Sequence, residues 1–146
     1  MFRGRHSHTI DEKGRLSIPA AYREELRQAE GAPFLTAYQE CLKLYPFQDW
    51  CDYERRILEH AAVDPDAQDY VRLVISNAAE APIDKQGRIL VPEYLREQAG
   101  LDREVTLAGV GPTVELWDPS RLGAHDDRTR VNFRKISADF AERLRS

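Results

Sequence analysis

Ile10-Asp11-Glu12-Lys13-Gly14-Arg15-Leu16-Ser17-Ile18-Pro19 is written a second time, 73 residues later, as Ile83-Asp84-Lys85-Gln86-Gly87-Arg88-Ile89-Leu90-Val91-Pro92. Ile, Asp, Gly, Arg and Pro recur at matching places, and the alternating apolar residues agree in type. Self-similarity at a fixed offset marks a duplicated structural unit. The match continues through Arg23-Glu24 and Arg96-Glu97, and at an offset of 72 Leu44-Tyr45 falls on Leu116-Trp117. A loop shorter by one residue accounts for the change of offset.

Each copy reads as a β-hairpin followed by a helix. A three-residue hairpin loop needs a left-handed residue after its type I turn, and Gly14 and Gly87 supply it. Asp11 then faces Arg15 across the hairpin mouth, and Asp84 faces Arg88, where opposite charges can pair. Leu16 and Ile18, like Ile89 and Val91, alternate with Ser17 and Leu90, as a strand with one buried face requires. Pro19 and Pro92 open helices that stop at Gly31 and Gly100. Two β-type runs follow each helix, 34–38 and 41–45 in the first copy and 104–108 and 113–117 in the second. The pattern ββαββ is thus written twice, in an α+β chain.

Between the copies, 46–60 reads as a helix, and Asp64-Pro65 starts another, with Asp64 as its cap. Near the C-terminus, Phe133, Ile136, Phe140 and Leu144 form an apolar stripe at helical spacing. Residues 123–130 read as a polar connector. The expected organisation is a first module over 5–50, a helical connector over 51–78, a second module over 79–122, and a connector with a C-terminal helix over 123–146. A four-stranded module alone has exposed edges and a thin core. Two in one chain can cover each other's edges by closing a common barrel, so the repeat reads as an intrachain pseudo-dimer.

Composition bounds the chemistry. The 146 residues carry a net charge of −4, with 42% hydrophobic and 32% charged residues, the profile of an ordinary globular chain. No apolar run suits a membrane span, and the opening Met1–His6 has no apolar core of a secretion signal. The expected compartment is the cytosol. Cys41 and Cys51 match no disulfide framework or metal clip, and His6-Ser7-His8 lacks a third ligand at metal spacing. No nucleophile elbow, phosphate-cradling loop or paired-carboxylate motif is present, so an enzyme is the least favoured class, and no cofactor, metal or small-molecule substrate is expected. The charge is uneven. Arg3, Arg5, Lys13 and Arg15 give residues 1–15 a local surplus against Asp11 and Glu12, whereas 48–70 is acidic. A basic face on an acidic body can grip phosphates locally.

On the Met1-Phe2-Arg3-Gly4 opening, Asp11-Glu12-Lys13-Gly14-Arg15 with Pro19, Leu42-Lys43-Leu44-Tyr45-Pro46, Asp84-x-x-x-Arg88 and Glu115-Leu116-Trp117-Asp118, the chain resembles the MraZ family over nearly its whole length. The resemblance implies two tandem AbrB-like modules forming a swapped-hairpin β-barrel. It implies a transcriptional regulator of the division and cell-wall operon that binds repeated promoter elements, assembles into a ring, commonly an octamer, and associates with the nucleoid. It also implies that the Asp-x-x-x-Arg tips touch double-stranded DNA. Matched residue by residue, that role falls on Lys13 and Arg15 in the first copy and on Lys85 and Arg88 in the second, with Asp11, Gly14, Asp84 and Gly87 shaping the tips. Arg3 and Arg5 either extend this basic face or form an ordinary solvated terminus. Lys13 gives the first tip a charge that Gln86 denies the second, so the first copy is expected to lead. Two rivals stay open: an antitoxin-type module, and a protein-binding scaffold that does not touch DNA.

Overall fold

The structure, a computed structural model, describes residues 1–27 and 30–146. Its elements run β1 (Arg5–Thr9), β2 (Arg15–Ser17), α1 (Ala20–Arg27), β3 (Phe34–Tyr38), β4 (Cys41–Tyr45), α2 (Phe47–Ala61), a 3-10 turn (Pro65–Ala67), α3 (Gln68–Val74) and β5 (Ala79–Glu80). They continue as β6 (Arg88–Leu90), α4 (Glu93–Ala99), β7 (Glu104–Gly109), β8 (Val114–Trp117), α5 (Pro119–Val131) and α6 (Phe133–Arg145). The fold is mixed α+β. The expected end of the first repeat helix falls partly on residues 28 and 29, outside the described residues. The second repeat helix ends as its sequence requires, on Gly100 at φ +65°.

The strands do not pair as two separate hairpins. β1 pairs with β7, β5 with β3, β4 with β8 and β2 with β6, all antiparallel, and each of these ladders joins one copy to the other. Among the described residues, only β3–β4 and β7–β8 pair within a copy. The result is a six-stranded sheet ordered β1-β7-β8-β4-β3-β5 and a two-stranded ribbon β2-β6. Within each tip the two arms still touch, the Asp11 N–H donating to the Arg15 carbonyl and the Asp84 N–H to the Arg88 carbonyl, with an Ile10–Leu16 bridge added in the first. Beyond the tip, each second strand crosses to its counterpart.

The strand order is a palindrome under the repeat, since β1 corresponds to β5, β7 to β3 and β8 to β4. A pseudo-two-fold axis therefore passes between Leu16 and Ile89, which are direct partners, and between Lys43 and Glu115, which are also direct partners. Leu16, Ile18, Leu35, Leu42 and Leu44 from the first copy and Ile89, Val91, Leu107, Val114 and Leu116 from the second are buried in one cluster. Each such side chain taken from water contributes roughly 1.5–3 kcal/mol. Among the described residues, this main core belongs to neither copy alone.

Two smaller clusters hold the helices. Tyr45, Trp50, Ile57 and Val74 seat α2 and α3 on the sheet, with Phe34 stacked on Trp50 at 5.5 Å. The buried Thr36 hydroxyl donates to the Val74 carbonyl at 2.6 Å and pins α3 to β3. As the sequence led us to expect, Asp64 caps the turn into α3 by accepting the Asp66 N–H.

The connector expected at 123–130 is instead part of α5. The Asp118 carboxylate accepts the Arg121 N–H, and Pro119 occupies the first helical position, so the helix starts well despite its polar sequence. Leu122 is its one buried residue, packed with Cys41 and Trp117. With a single apolar anchor there is no stripe for periodicity to reveal. The stripe expected on 133–144 lies on α6 as a continuous helix, and none of its side chains is buried.

Candidate nucleic-acid interface

The two tips are built alike. Asp11 Oδ1 accepts the backbone N–H of Lys13 and of Arg15, both at 2.9 Å, and the Gly14 N–H returns to the Asp11 carbonyl at 3.0 Å. Asp84 Oδ1 accepts Gln86 and Arg88 N–H at 2.9 Å, and Gly87 N–H returns to the Asp84 carbonyl at 3.0 Å. An aspartate closing a turn on its own following backbone explains why this residue type opens both loops. The backbone N–H groups of Arg15 and Arg88 are the main reason that the Asp11 and Asp84 carboxyls sit below the usual carboxylate range. Gly14 and Gly87 stand at φ +82° and +79°, as the three-residue loop requires.

Each tip is tied into the opposite copy. Val91 N–H donates to the Gly14 carbonyl and Ile18 N–H to the Gly87 carbonyl, both at 2.8 Å. Arg96 Nε donates to the Val91 carbonyl at 3.0 Å and Arg23 Nε to the Ile18 carbonyl at 2.6 Å. These arginines lie across the tip glycines: a Cβ on Gly87 would stand 2.3 Å from Arg23 Cζ, and one on Gly14 3.4 Å from Arg96 Nη2. Arg23 and Arg96 are therefore neighbours of the tips. The repeat had already paired them in sequence, but only the crossed strands bring each to the other copy's loop.

The charge pairing departs from the symmetric expectation. Arg88 Nε meets Asp84 Oδ2 at 3.1 Å, as expected, and Arg88 Nη1 reaches Asp11 Oδ2 at 3.8 Å. Arg15 forms no ion pair among the described residues. The second-copy arginine has taken both carboxylates, although the β2–β6 ladder places Arg15 opposite Leu90 just as it places Arg88 opposite Ser17.

The β2–β6 ribbon turns Leu16 and Ile89 inward and Arg15, Ser17, Arg88 and Leu90 outward, so the two arginines lie on a diagonal of one outer face. Leu90 is 55% exposed between them. Beside the first tip opens a groove of about 670 Å³ lined by Ile10, Asp11, Glu12, Lys13, Arg15, Arg96, Asp102 and Arg103. Four cations line it against three carboxylates. Arg103 lies 88 residues from Arg15 in sequence and carries no motif, so sequence reading had no signal for it. Lys13 and Lys85 are exposed at their tips. Arg27 from α1 donates to the Asp84 carbonyl at 2.9 Å.

Arg3 and Arg5 are not brought to the tips. Arg5 stands six residues before Asp11 on an extended strand, a reach of roughly 20 Å. Its guanidinium is held in a two-point pair by Asp126 of α5, at 2.6 and 3.1 Å. That pair raises the Arg5 pKa and lowers that of Asp126. Arg3 is exposed at the chain start, where its carbonyl accepts the Tyr22 hydroxyl at 2.9 Å.

Comparison with known proteins agrees with the repeat. The family model described as "MraZ protein, putative antitoxin-like" matches the chain twice, over residues 1–73 and 74–144. The chain is 46% identical over 123 residues to "Transcriptional regulator MraZ" of Moorella thermoacetica, covering 83% of each chain. It is 45% identical over 146 residues to the protein of that name from Carboxydothermus hydrogenoformans, covering 99% of each. A third such protein, from Syntrophobacter fumaroxidans, is 40% identical over 136 residues, 92% of this chain and 91% of its own. With the family matched in both halves and relatives aligned from end to end, the chain belongs to the MraZ family.

Proposed function

We propose that this protein is a sequence-specific DNA-binding transcriptional regulator, and that the ribbon β2–β6 with its two tips is the surface that meets double-stranded DNA. One observation carries the reading: Arg15 and Arg88 lie on a single outward face, beside tips fixed by backbone hydrogen bonds and with Lys13, Arg96 and Arg103 alongside. A two-stranded ribbon fits the major groove, where arginine can bind a guanine edge with two hydrogen bonds. Leu90, exposed between the arginines, suits a thymine methyl group. Lys13, Lys85, Arg96 and Arg103 serve as phosphate contacts that set the register. The regulator name carried by the relatives supports this reading.

We read the six-stranded sheet and the ribbon together as a swapped-hairpin AbrB-like barrel, with modules over 5–50 and 79–122. The family resemblance supports a ring of copies acting on repeated elements upstream of a division and cell-wall operon, in the cytoplasm at the nucleoid. A net charge of −4 makes one copy a weak DNA binder, and several linked copies on spaced repeats compensate through effective concentration. The family's antitoxin-like description keeps one rival in view, a module whose main partner is another protein.

Binding of the chain to its own upstream region, measured by fluorescence anisotropy, tests the assignment. Arg15→Ala is expected to weaken binding by about tenfold or more, the usual loss for a base-reading arginine. Unchanged affinity in both Arg15→Ala and Arg88→Ala would defeat the site.

A further inference from the structure

Helix α6 carries Phe133, Ile136, Phe140 and Leu144 at 58%, 47%, 55% and 72% exposure, and it buries none of its residues. A 13-residue helix without packing is marginal in water. Four large apolar side chains on one face call for a partner. The other residues of the helix are mainly basic: Arg134, Lys135, Arg143 and Arg145 against Asp139 and Glu142.

A matching surface exists at the far end of the acidity scale. A cleft of about 210 Å³ opens between α2 and α3, lined by Tyr53, Arg56, Ile57, His60, Ala67 and Tyr70. Leu58 and Leu73 stand exposed on the same two helices, at 48% and 49%. Residues 47–74 hold seven carboxylates (49, 52, 54, 59, 64, 66 and 69) against three arginines (55, 56 and 72), a net of −4. Over 133–145 the balance is four cations less two carboxylates, or +2. The 15 residues of α2 and the 13 of α6 give lengths of roughly 22 and 20 Å.

We infer that α6 of one copy docks, apolar face down, on the α2–α3 surface of a second copy. Pairing α6 with α6 would set basic against basic, whereas α2–α3 as a whole carries a net −4; Arg56 and His60 line the cleft itself, so the charge match lies with the carboxylates elsewhere on these two helices. At these exposures the four side chains offer roughly 450 Å² a side, so the contact also draws on the charged side chains that flank them. Such a contact joins unlike patches, head to tail, and repeats until it closes into a ring or runs on as a filament. The inference rests on the ring reading above and names the surface that builds it.

Sedimentation velocity on the full chain tests it, with circular dichroism to show that the helices persist. Phe140→Asp, and separately Tyr70→Arg or Leu73→Asp, should each weaken assembly about 30-fold or more, the scale of losing an interface anchor. An equimolar mixture of Phe140→Asp with a groove variant keeps one intact helix and one intact groove, so it should form a two-chain species and nothing larger. Assembly of the wild type should weaken as salt rises. If both groove variants assemble like wild type while Phe140→Asp does not, the assigned groove is wrong. If Phe140→Asp also assembles normally, the helix has no part in the contact and the ring reading survives without it. A wild type that stays monomeric at every concentration removes the ring reading itself.

Discussion

Arg88 has a carboxylate at 3.1 Å and another at 3.8 Å, whereas Arg15, its equivalent in the repeat, has an ion pair with neither. The two arginines therefore do different electrostatic work on DNA. Removing Arg15 deletes one base-reading cation, so the slope of log affinity against log salt should change little, whereas removing the phosphate contact Lys13 should lower it by about one. Removing Arg88 also unmasks Asp84 and Asp11 beside the phosphates. We expect Asp84→Asn to restore part of the binding lost in Arg88→Ala, because asparagine can still accept the two backbone N–H groups while losing the charge. The same Asp84→Asn change should not rescue Arg15→Ala, and equal rescue of both would refute this division of roles. The tips also make a pH prediction. Asp11 and Asp84 have folded-state pKa values below the ordinary aspartate value of about 3.9. Their contribution to stability is thus present above that value and is lost as the pH falls through the lowered folded pKa. Carboxyl carbon NMR shifts should show both midpoints below the ordinary value, and a midpoint at or above it would contradict the turn geometry.

At the level of the element, strands and helices were legible in the sequence while their partners were not. Period-two alternation in Leu16–Ile18 and Ile89–Val91 and the Pro-to-Gly framing of α4 are local signals, and the structure agrees with them. Nothing local says that β2 leaves its own hairpin arm for β6, because a strand's pattern records which face is buried and not which neighbour it meets. That crossing hid the role of Arg96, the β1–β7 ladder between the copies hid Arg103, and α5 stayed hidden because Leu122 is its sole buried residue. One element depends on a close backbone approach. A Cβ at Gly109 would stand 2.4 Å from the Arg3 backbone nitrogen, where β7 receives the chain start. Gly109→Ala should therefore displace the N-terminal strand and destabilise the fold by about 1–3 kcal/mol in chemical denaturation. A loss under a few tenths would show that the strand yields without resistance.

The molecule as a whole should unfold as one unit. The ladders β1–β7, β2–β6, β3–β5 and β4–β8 all run between the copies, and the main core is drawn from both. Calorimetry should give a single transition in which both halves melt together. Two separated transitions would mean that each half folds alone. Ile89→Ala, at the centre of the shared core, should lower stability by about 2–5 kcal/mol and do so for both halves together. The pair on the pseudo-axis adds a consequence for pairing. Lys43 faces Glu115 there, one residue from each half. If two first halves assembled about the same axis, Lys43 would face another Lys43, and two second halves would set Glu115 against Glu115. Like charges placed directly opposite repel. At this position the two halves are complements. On this pair each half suits the other better than a copy of itself, by up to about 1 kcal/mol.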